Sequence, residues 1–287
     1  MTAQTQAGQN HSDQIAYWNG IGGEHWIARE EETDRFLAQV ADRAIDRARP
    51  APGESVVDIG CGCGPTSVEI ARRVGPAGRV VALDISAQLI TRAKERLAPY
   101  PWAQAVLDDA ATTVLEPGAY DLLFSRFGVM FFGDPDAAFA NMHKWLKPAG
   151  RIVFACWRTP KENLWMMVPL QAAYEHVPRL PKLGPEDPGP FSFGSEERLR
   201  RILANGGFRA PSLEPIDFAL DLAGGRGLDA AVSLSLRLGA TSKALEGQPE
   251  EKITAVATSV RDVLAPYAKD GAVKLDAAVW IVSARAA

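Results

Sequence analysis

The chain has 287 residues, 47% of them hydrophobic, with a formal net charge of −4 and a pI near 5.7. That acidic balance disfavours nucleic-acid binding, which needs a basic face to neutralise phosphates. Three cysteines (Cys61, Cys63, Cys156) disfavour a disulfide framework and favour a reducing compartment.

Residues 1 to about 12 are polar, lack the apolar region of a secretory signal and read as a mobile arm. No apolar run reaches the roughly 18 residues of a membrane span, so a cytoplasmic location is expected. From Asp13 to Arg49 the pattern is helical, with Phe36, Leu37, Val40, Ala41, Ala44 and Ile45 on one face. Pro50, Pro52 and Gly53 stop it. Ser55–Ile59 is a β-branched strand, followed by Gly60-Cys-Gly-Cys-Gly64-Pro and a helix over Thr66–Val74. Arg79–Leu83 is a second strand ending at Asp84, Ala87–Leu97 a helix, and Gln104–Leu107 a third strand ending at Asp108 and Asp109. Tyr120–Phe124, a helix over Asp136–Leu146, a turn at Pro148-Ala-Gly150 and a fifth strand over Arg151–Ala155 complete the regular half. Strands alternating with helices predict parallel pairing and a doubly wound sheet.

The second half is less regular. Trp165–His176 is strongly apolar, and Pro169 is expected to kink or interrupt any helix there. Pro178–Phe193 carries five prolines and reads as a lid or cap. Ser195–Asn205 is a capped helix ended by Gly206-Gly207. Ile216–Leu222 and Ala277–Ala284 are strands flanking helices at Leu228–Leu245 and Pro249–Tyr267.

The chemistry concentrates at Val56-Val-Asp-Ile-Gly-Cys-Gly-Cys-Gly64. A glycine turn after a first parallel strand lets backbone approach a ligand, and the next helix offers free N–H groups. Dinucleotides and S-adenosylmethionine are both bound in this way. The dinucleotide spacing G-x-G-x-x-G fails in both registers, with Pro65 or Ser67 at the third position. Asp58 suits a cofactor that carries an α-amino group.

The segment resembles motif I of class I S-adenosylmethionine-dependent methyltransferases, with Asp58, Gly60 and Gly62 in the D-x-G-C-G-x-G pattern. The resemblance covers roughly Ser55–Ala155 and is loosely similar at the ends to bacterial small-molecule enzymes of the ubiquinone-biosynthesis type. It implies a Rossmann-like methyltransferase fold: an α/β doubly wound, mostly parallel seven-stranded sheet with a helical N-terminal arm and inserted cap helices. It implies that Asp84 binds the ribose hydroxyls, that Ile85 and Leu89 pack on the adenine, and that Asp109-Ala110 (or Asp108) meets the adenine amino group. Ser125 and Arg126 resemble motif IV, beside the methionine part of the cofactor. Lys147-Pro-Ala-Gly resembles the turn before strand five, with alanine in place of the usual first glycine.

The expected organisation is an arm over the cofactor site (1–50), a cofactor-binding core (51–157), a cap (158–195) and a C-terminal part completing the sheet (196–287). The expected reaction moves a methyl group from S-adenosylmethionine, leaving S-adenosylhomocysteine, to an oxygen, nitrogen or carbon nucleophile of a small, apolar or aromatic metabolite. Substrate-side candidates are Tyr17, Trp18, Trp26, Trp165, Met166 and Tyr174, and the base candidates are His25 and His176. No metal is expected, because the four histidines are scattered and Cys61 and Cys63 lack further ligands. No nucleic-acid partner is expected, and monomer and homodimer stay open. The alternatives are a non-catalytic cofactor-binding or scaffold relative and an NAD-dependent oxidoreductase.

Overall fold

The computed structural model describes residues 12–184 and 186–287, so the expected mobile arm at 1–11 lies outside the described residues. The chain divides into two compact units. The first holds 12–157, 186–215 and 280–287; the second holds 158–184 and 216–279. The expected partition differs in two places. Residues 186–195 group with the core and not with a cap, and 216–279 join 158–184 instead of completing the first unit.

The first unit begins with three helices, α1 (12–19), α2 (Ile21–Ile27) and α3 (Glu30–Ala48), where the sequence suggested one. Gly20 leaves helical geometry at φ −114°, ψ −132°, and Arg29 does so at φ −128°, ψ 20°, so each interrupts the hydrogen-bond ladder. The core then alternates: β1 (Ser55–Ile59), α4 (Pro65–Val74), β2 (Arg79–Asp84), α5 (Ala87–Leu97), β3 (Ala103–Leu107), β4 (Tyr120–Arg126), α6 (Pro135–His143) and β5 (Leu146–Trp157). β1 pairs in parallel with β2 and β4, β2 with β3, and β4 with β5. The expected turn at 147–150 is a bulge inside β5, where the register jumps from Tyr120↔Leu146 to Leu122↔Arg151.

The rest of the chain adds α7 (Leu164–Ala173), α8 (Glu196–Asn205), β6 (Phe208–Asp221), α9 (Leu228–Arg237), α10 (Gly239–Leu245), α11 (Glu250–Leu264), β7 (Ala268–Lys269) and β8 (Ala272–Ala286). The sheet order is β3-β2-β1-β4-β5-β8-β6, with the two-residue β7 paired antiparallel to β8. The seven-strand path is a doubly wound Rossmann-like sheet, and its order reverses between β1 and β4. β6 is an edge strand and carries Pro211 and Pro215.

In the first unit Val56, Val57, Leu122, Leu123, Ile152 and Val153 are buried on adjacent strands. These are the β-branched and leucine residues that a two-sided parallel sheet requires. Arg151 pins the end of α3 to this sheet. It donates to Ala48 O through Nε at 2.9 Å and Nη2 at 2.8 Å, and to both carboxylate oxygens of Glu54 at 2.8 Å. His143 is not a free surface residue. It packs edge-on to Phe208, and its Nε2 accepts from Ala287 N at 3.3 Å.

In the second unit α11 packs on α7 and α9, burying Val256, Val260 and Leu264 at four-residue spacing. α7 runs through Pro169 without ending. Burial of Trp165, Met166, Pro169, Leu170, Ala172 and Ala173 offsets the roughly 3 kcal/mol that an interior proline costs a helix. The expected single helix over 228–245 breaks at Leu238, which is extended (φ −123°, ψ 143°). Asn163 is a fully buried knot. Its amide N donates to Arg158 O, Thr159 O and Ala278 O at 3.1–3.4 Å, and its Oδ1 accepts from Ala278 N at 3.0 Å and Trp165 Nε1 at 3.2 Å.

Asn163→Ala leaves these buried groups without partners. The expected loss of stability is about 2–4 kcal/mol, read as a lower urea midpoint with unchanged far-UV circular dichroism in the folded baseline.

Candidate functional site

Ligands of open parallel sheets bind at the carboxyl ends of the strands, where the order reverses. In this chain that is the exit of β1 and β4. β1 leaves through Gly60 (φ 65°) and Gly62 (φ 58°), backbone conformations that residues with a Cβ rarely adopt. A Cβ on Gly60 would stand 2.7 Å from Gly128 Cα, so the turn lies directly against the segment after β4. A Cβ on Gly62 would meet only Trp26 Nε1, at 3.6 Å. The backbone there forms a cradle that a side chain would fill.

Asp84, at the end of β2, holds this turn. Its Oδ2 accepts from Gly62 N at 2.8 Å and its Oδ1 from Ser86 N at 2.9 Å. The carboxylate has acceptor capacity beyond these bonds, which can receive a diol hydroxyl. Burial pushes the Asp84 pKa up, and the N–H bonds from Ser86, Gly62 and Ile85 oppose this. Ile85 is half-buried, and Leu89 is buried on α5 with its N–H capped by Ser86 Oγ.

After β3, Asp109 Oδ1 accepts from Ala111 N at 2.9 Å, and the Asp109 N–H donates to Asp108 Oδ1 at 2.8 Å and closes the turn. Asp108 Oδ2 also accepts from Thr113 Oγ1 at 2.5 Å, so the turn occupies both Asp108 oxygens. Ala110 is buried, and its O accepts from Asn141 Nδ2 at 3.3 Å.

Asp58 is fully buried in β1. Its Oδ2 accepts from Thr66 Oγ1 at 2.8 Å and Ser67 Oγ at 2.5 Å, while Oδ1 has no partner. Burial pushes its pKa up to about 6, against the two hydroxyl bonds and the charge of Arg126. Arg126 closes β4, buried, with Asp34 Oδ1 4.0 Å away. Ser125 ties the strand ends together: its Oγ donates to Ile59 O at 2.8 Å and accepts from Gly128 N at 3.1 Å.

The N-terminal helices dock on this end. Asn19, which sequence reasoning did not single out, donates to Ile85 O at 2.9 Å and accepts from Ala87 N at 3.0 Å. Gln88 Nε2 donates to Asn19 O at 2.8 Å. Trp18 meets Tyr17, Trp26 and Phe131 edge-on at centroid distances of 5.3–5.9 Å. Arg92 joins buried Glu30 at 2.7 Å, and Arg96 joins Glu30 and, at 2.7 Å, Asp34. His25 lies half-buried on α2. A second feature absent from the sequence reading is Phe127. It is left-handed at φ 66° and stacked on Trp157 at 4.4 Å, a strained conformation for a bulky residue.

The remaining candidates belong to the second unit. Trp165 and Met166 are buried around a cavity of about 10 Å³, the size of one water, so their packing there is that of core residues. Tyr174 has Arg179 over its ring at 5.3 Å, and His176 Nε2 shares a 2.7 Å hydrogen bond with Ser259 Oγ. The expected lid is divided. Residues 178–184 are irregular, whereas Gly189 N and Ser192 Oγ both bond to Met130 O in the first unit. Among the described residues no group of three or more His, Cys, Asp or Glu could hold a metal ion, and no helix is long and apolar enough to cross a membrane.

Residues 56–150 match the methyltransferase domain family. They contain the glycine turn, Asp84, Asp109 and Arg126. Over this segment the chain is similar to S-adenosylmethionine-dependent methyltransferases. Nocamycin O-methyltransferase of Saccharothrix syringae is 33% identical over 119 residues, 41% of this chain and 42% of that protein. Demethylmenaquinone methyltransferase of Staphylococcus aureus is 27% identical over 166 residues, 54% of this chain and 68% of that protein. An uncharacterised 37.1 kDa transposon protein of Streptomyces fradiae is 28% identical, over 60% of this chain and 48% of its own length. The match thus spans under half of the transposon protein and of the nocamycin enzyme. Likeness of fold extends beyond the matched segment. The YcgJ protein of Bacillus subtilis aligns over 87% of this chain and 98% of its own, at 13% identity and a TM-score of 0.56. The [4+2]-cyclase SpnF aligns over 86% of this chain and 80% of its own, at 16% identity and a TM-score of 0.53.

The residues present fit S-adenosylmethionine, the cofactor of this methyltransferase class: a backbone cradle at Gly62, a carboxylate at Asp84 with lone pairs to spare, and a buried Asp58 oxygen without a partner.

The Asp58 carboxyl has a pKa of about 6 in the fold, against 3.8 as its ordinary value. Between those values the folded chain keeps a proton that the unfolded chain has released. Stability from this group therefore falls as pH rises through about 4 to 6, by at most about 3 kcal/mol, and is flat above. Asp58→Asn is expected to remove this slope from the melting temperature measured between pH 4 and 7.

Proposed function

We propose that this chain transfers the methyl group of S-adenosylmethionine to a small molecule. The observation that carries the reading is the Gly62–Asp84 bond. It fixes an open glycine cradle beside a carboxylate at the point where the sheet order reverses. In the same site Asp84 takes the ribose diol, as a carboxylate accepting two hydroxyls. Asp109 faces the adenine amino group, and Ile85 and Leu89 lie along the ring.

The bound cofactor supplies an electrophilic methyl group on a positively charged sulfur. The chain's own task is alignment and exclusion of water, which can account for much of the acceleration. The arm residues Trp18 and Trp26, held down through Asn19, are placed to exclude water from the glycine turn. A base is required only for an acceptor that starts protonated. His25 in the arm is the candidate within the first unit, and His176 is already engaged by Ser259 in the second.

A small acceptor, and not a nucleic acid, is supported by the acidic charge balance and by the two named enzymes among the relatives. The second reading, a site that binds the cofactor without methyl transfer, draws on SpnF, whose fold is shared by a cyclase; a shared fold does not fix the reaction.

Asp84→Ala is expected to weaken S-adenosylhomocysteine binding at least tenfold by calorimetry while circular dichroism shows the fold intact. An unchanged dissociation constant would remove Asp84 from the site. Methyl transfer itself is read by incubating the chain with labelled S-adenosylmethionine and small-molecule extracts of its source cells, followed by mass spectrometry. Binding without any methylated product would favour the second reading.

A further inference from the structure

An open groove of about 290 Å³ lies in the first unit between α4 and the end of α5. Pro65, Val68 and Arg72 form its α4 side, at the three- and four-residue spacing that puts them on one helix face. Arg96, Pro99 and Tyr100 form the other side. No residue of the glycine turn and none of Asp84, Asp109 or Arg126 lines it. Its floor is fixed from below. Val68 and Tyr100 pack against the buried cluster of Cys61, Ile90 and Leu97. Tyr100 N donates to Leu97 O at 2.8 Å, and Trp102 meets the Tyr100 ring edge-on at 5.7 Å while its Nε1 donates to Ala71 O at 2.8 Å.

The polar groups of the groove point one way in charge. Arg72 Nε donates to the Tyr100 hydroxyl at 2.8 Å, so each orients the other. The two terminal nitrogens of Arg72 make no hydrogen bond among the described residues; Glu69 Oε2 stands 3.8 Å from Nη1, beyond bonding range. The Tyr100 hydroxyl, while accepting from Arg72, keeps its own O–H without an acceptor among the described residues. Arg96 is different: Glu30 and, at 2.7 Å, Asp34 offset its charge. None of the residues that line the groove is acidic. What faces the space is therefore one uncompensated positive charge with adjacent N–H and O–H donors, set beside two prolines and a valine.

We propose that this groove is a second small-molecule site, for a monocarboxylate with a flat apolar body. Arg72 and Tyr100 hold the carboxylate, and the body lies against Pro65, Val68 and Pro99. A guanidinium and a neighbouring hydroxyl suit a planar carboxylate. A single open charge matches a monoanion, whereas a phosphomonoester brings about 1.5 to 2 negative charges at neutral pH. The volume stands at the low end of ligand pockets, about 300–1,000 Å³, which favours a small metabolite over a peptide segment. The site shares no residue with the cofactor cradle, so it does not rest on methyl transfer.

The test is equilibrium dialysis of labelled phenylacetate against the full chain. Saturable binding at one site per chain is expected, in the millimolar range of so small a ligand. Phenylacetamide, with the same body and no charge, is expected to bind at least tenfold more weakly, and phenyl phosphate no more tightly than phenylacetate. Arg72→Gln is expected to weaken phenylacetate at least tenfold and Tyr100→Phe about threefold, both with unchanged circular dichroism. The amide comparison needs the wild type alone and decides the charge requirement whatever the variants do. Saturating S-adenosylhomocysteine is expected to leave phenylacetate bound. Absence of saturable binding, equal binding of the amide, full affinity in a folded Arg72→Gln, or displacement by S-adenosylhomocysteine overturns the proposal. A chain that binds phenylacetate in this way but not S-adenosylhomocysteine keeps the proposal and loses the methyltransferase reading.

Discussion

The site depends on one close approach of backbone to backbone. Gly60 and Gly128 lie so near that a Cβ on either would collide, the first with Gly128 Cα at 2.7 Å and the second with Ile59 O at 2.6 Å. This contact brings the exits of β1 and β4 together, and Ser125 Oγ locks it from both sides. Asp58, Arg126 and the Gly62 cradle take their spacing from it. Asp84 extends the same frame to β2 by accepting from Gly62 N. A larger residue at either glycine would displace the strand ends, because packed interiors do not yield smoothly.

Much of this frame was legible in the chain. The alternation of apolar runs and helices fixed the order of the first five strands, and the failure of the dinucleotide spacing at Pro65 and Ser67 turned the reading towards S-adenosylmethionine. Asp84 and Asp109 were named from the resemblance to the methyltransferase motifs, after the apolar runs had marked where the second and third strands end. What escaped was decided by tertiary contacts. Asn19 reads in the sequence as one polar residue in an aromatic stretch; only folding brings it to Ile85 O and Ala87 N, 66 and 68 residues away. Phe127 gives no local sign of a left-handed backbone, since its stack on Trp157 comes from 30 residues further on. The unbroken course of α7 past Pro169 is likewise a result of burial overriding a local preference.

The charges of the first unit follow a consistent division. Glu30, Arg92, Arg96 and Asp34 satisfy one another and fasten α3 to α5, and Arg151 with Glu54 fastens the end of α3 to β5. Arg126 meets this arrangement at Asp34 Oδ1, 4.0 Å away, whereas Asp58 Oδ1 has no partner.

The two prolines in β6 have a consequence for assembly. An edge strand normally presents a row of N–H groups that a second chain can extend. Pro211 and Pro215 remove two of those donors from one stretch of that edge, so this margin of the sheet is a poor seam for stitching one copy to the next. At the opposite margin β3 is a strand of five residues, an ordinary length. The sheet is therefore uneven in its capacity to grow: a further strand is disfavoured along Pro211 and Pro215 and unopposed along β3.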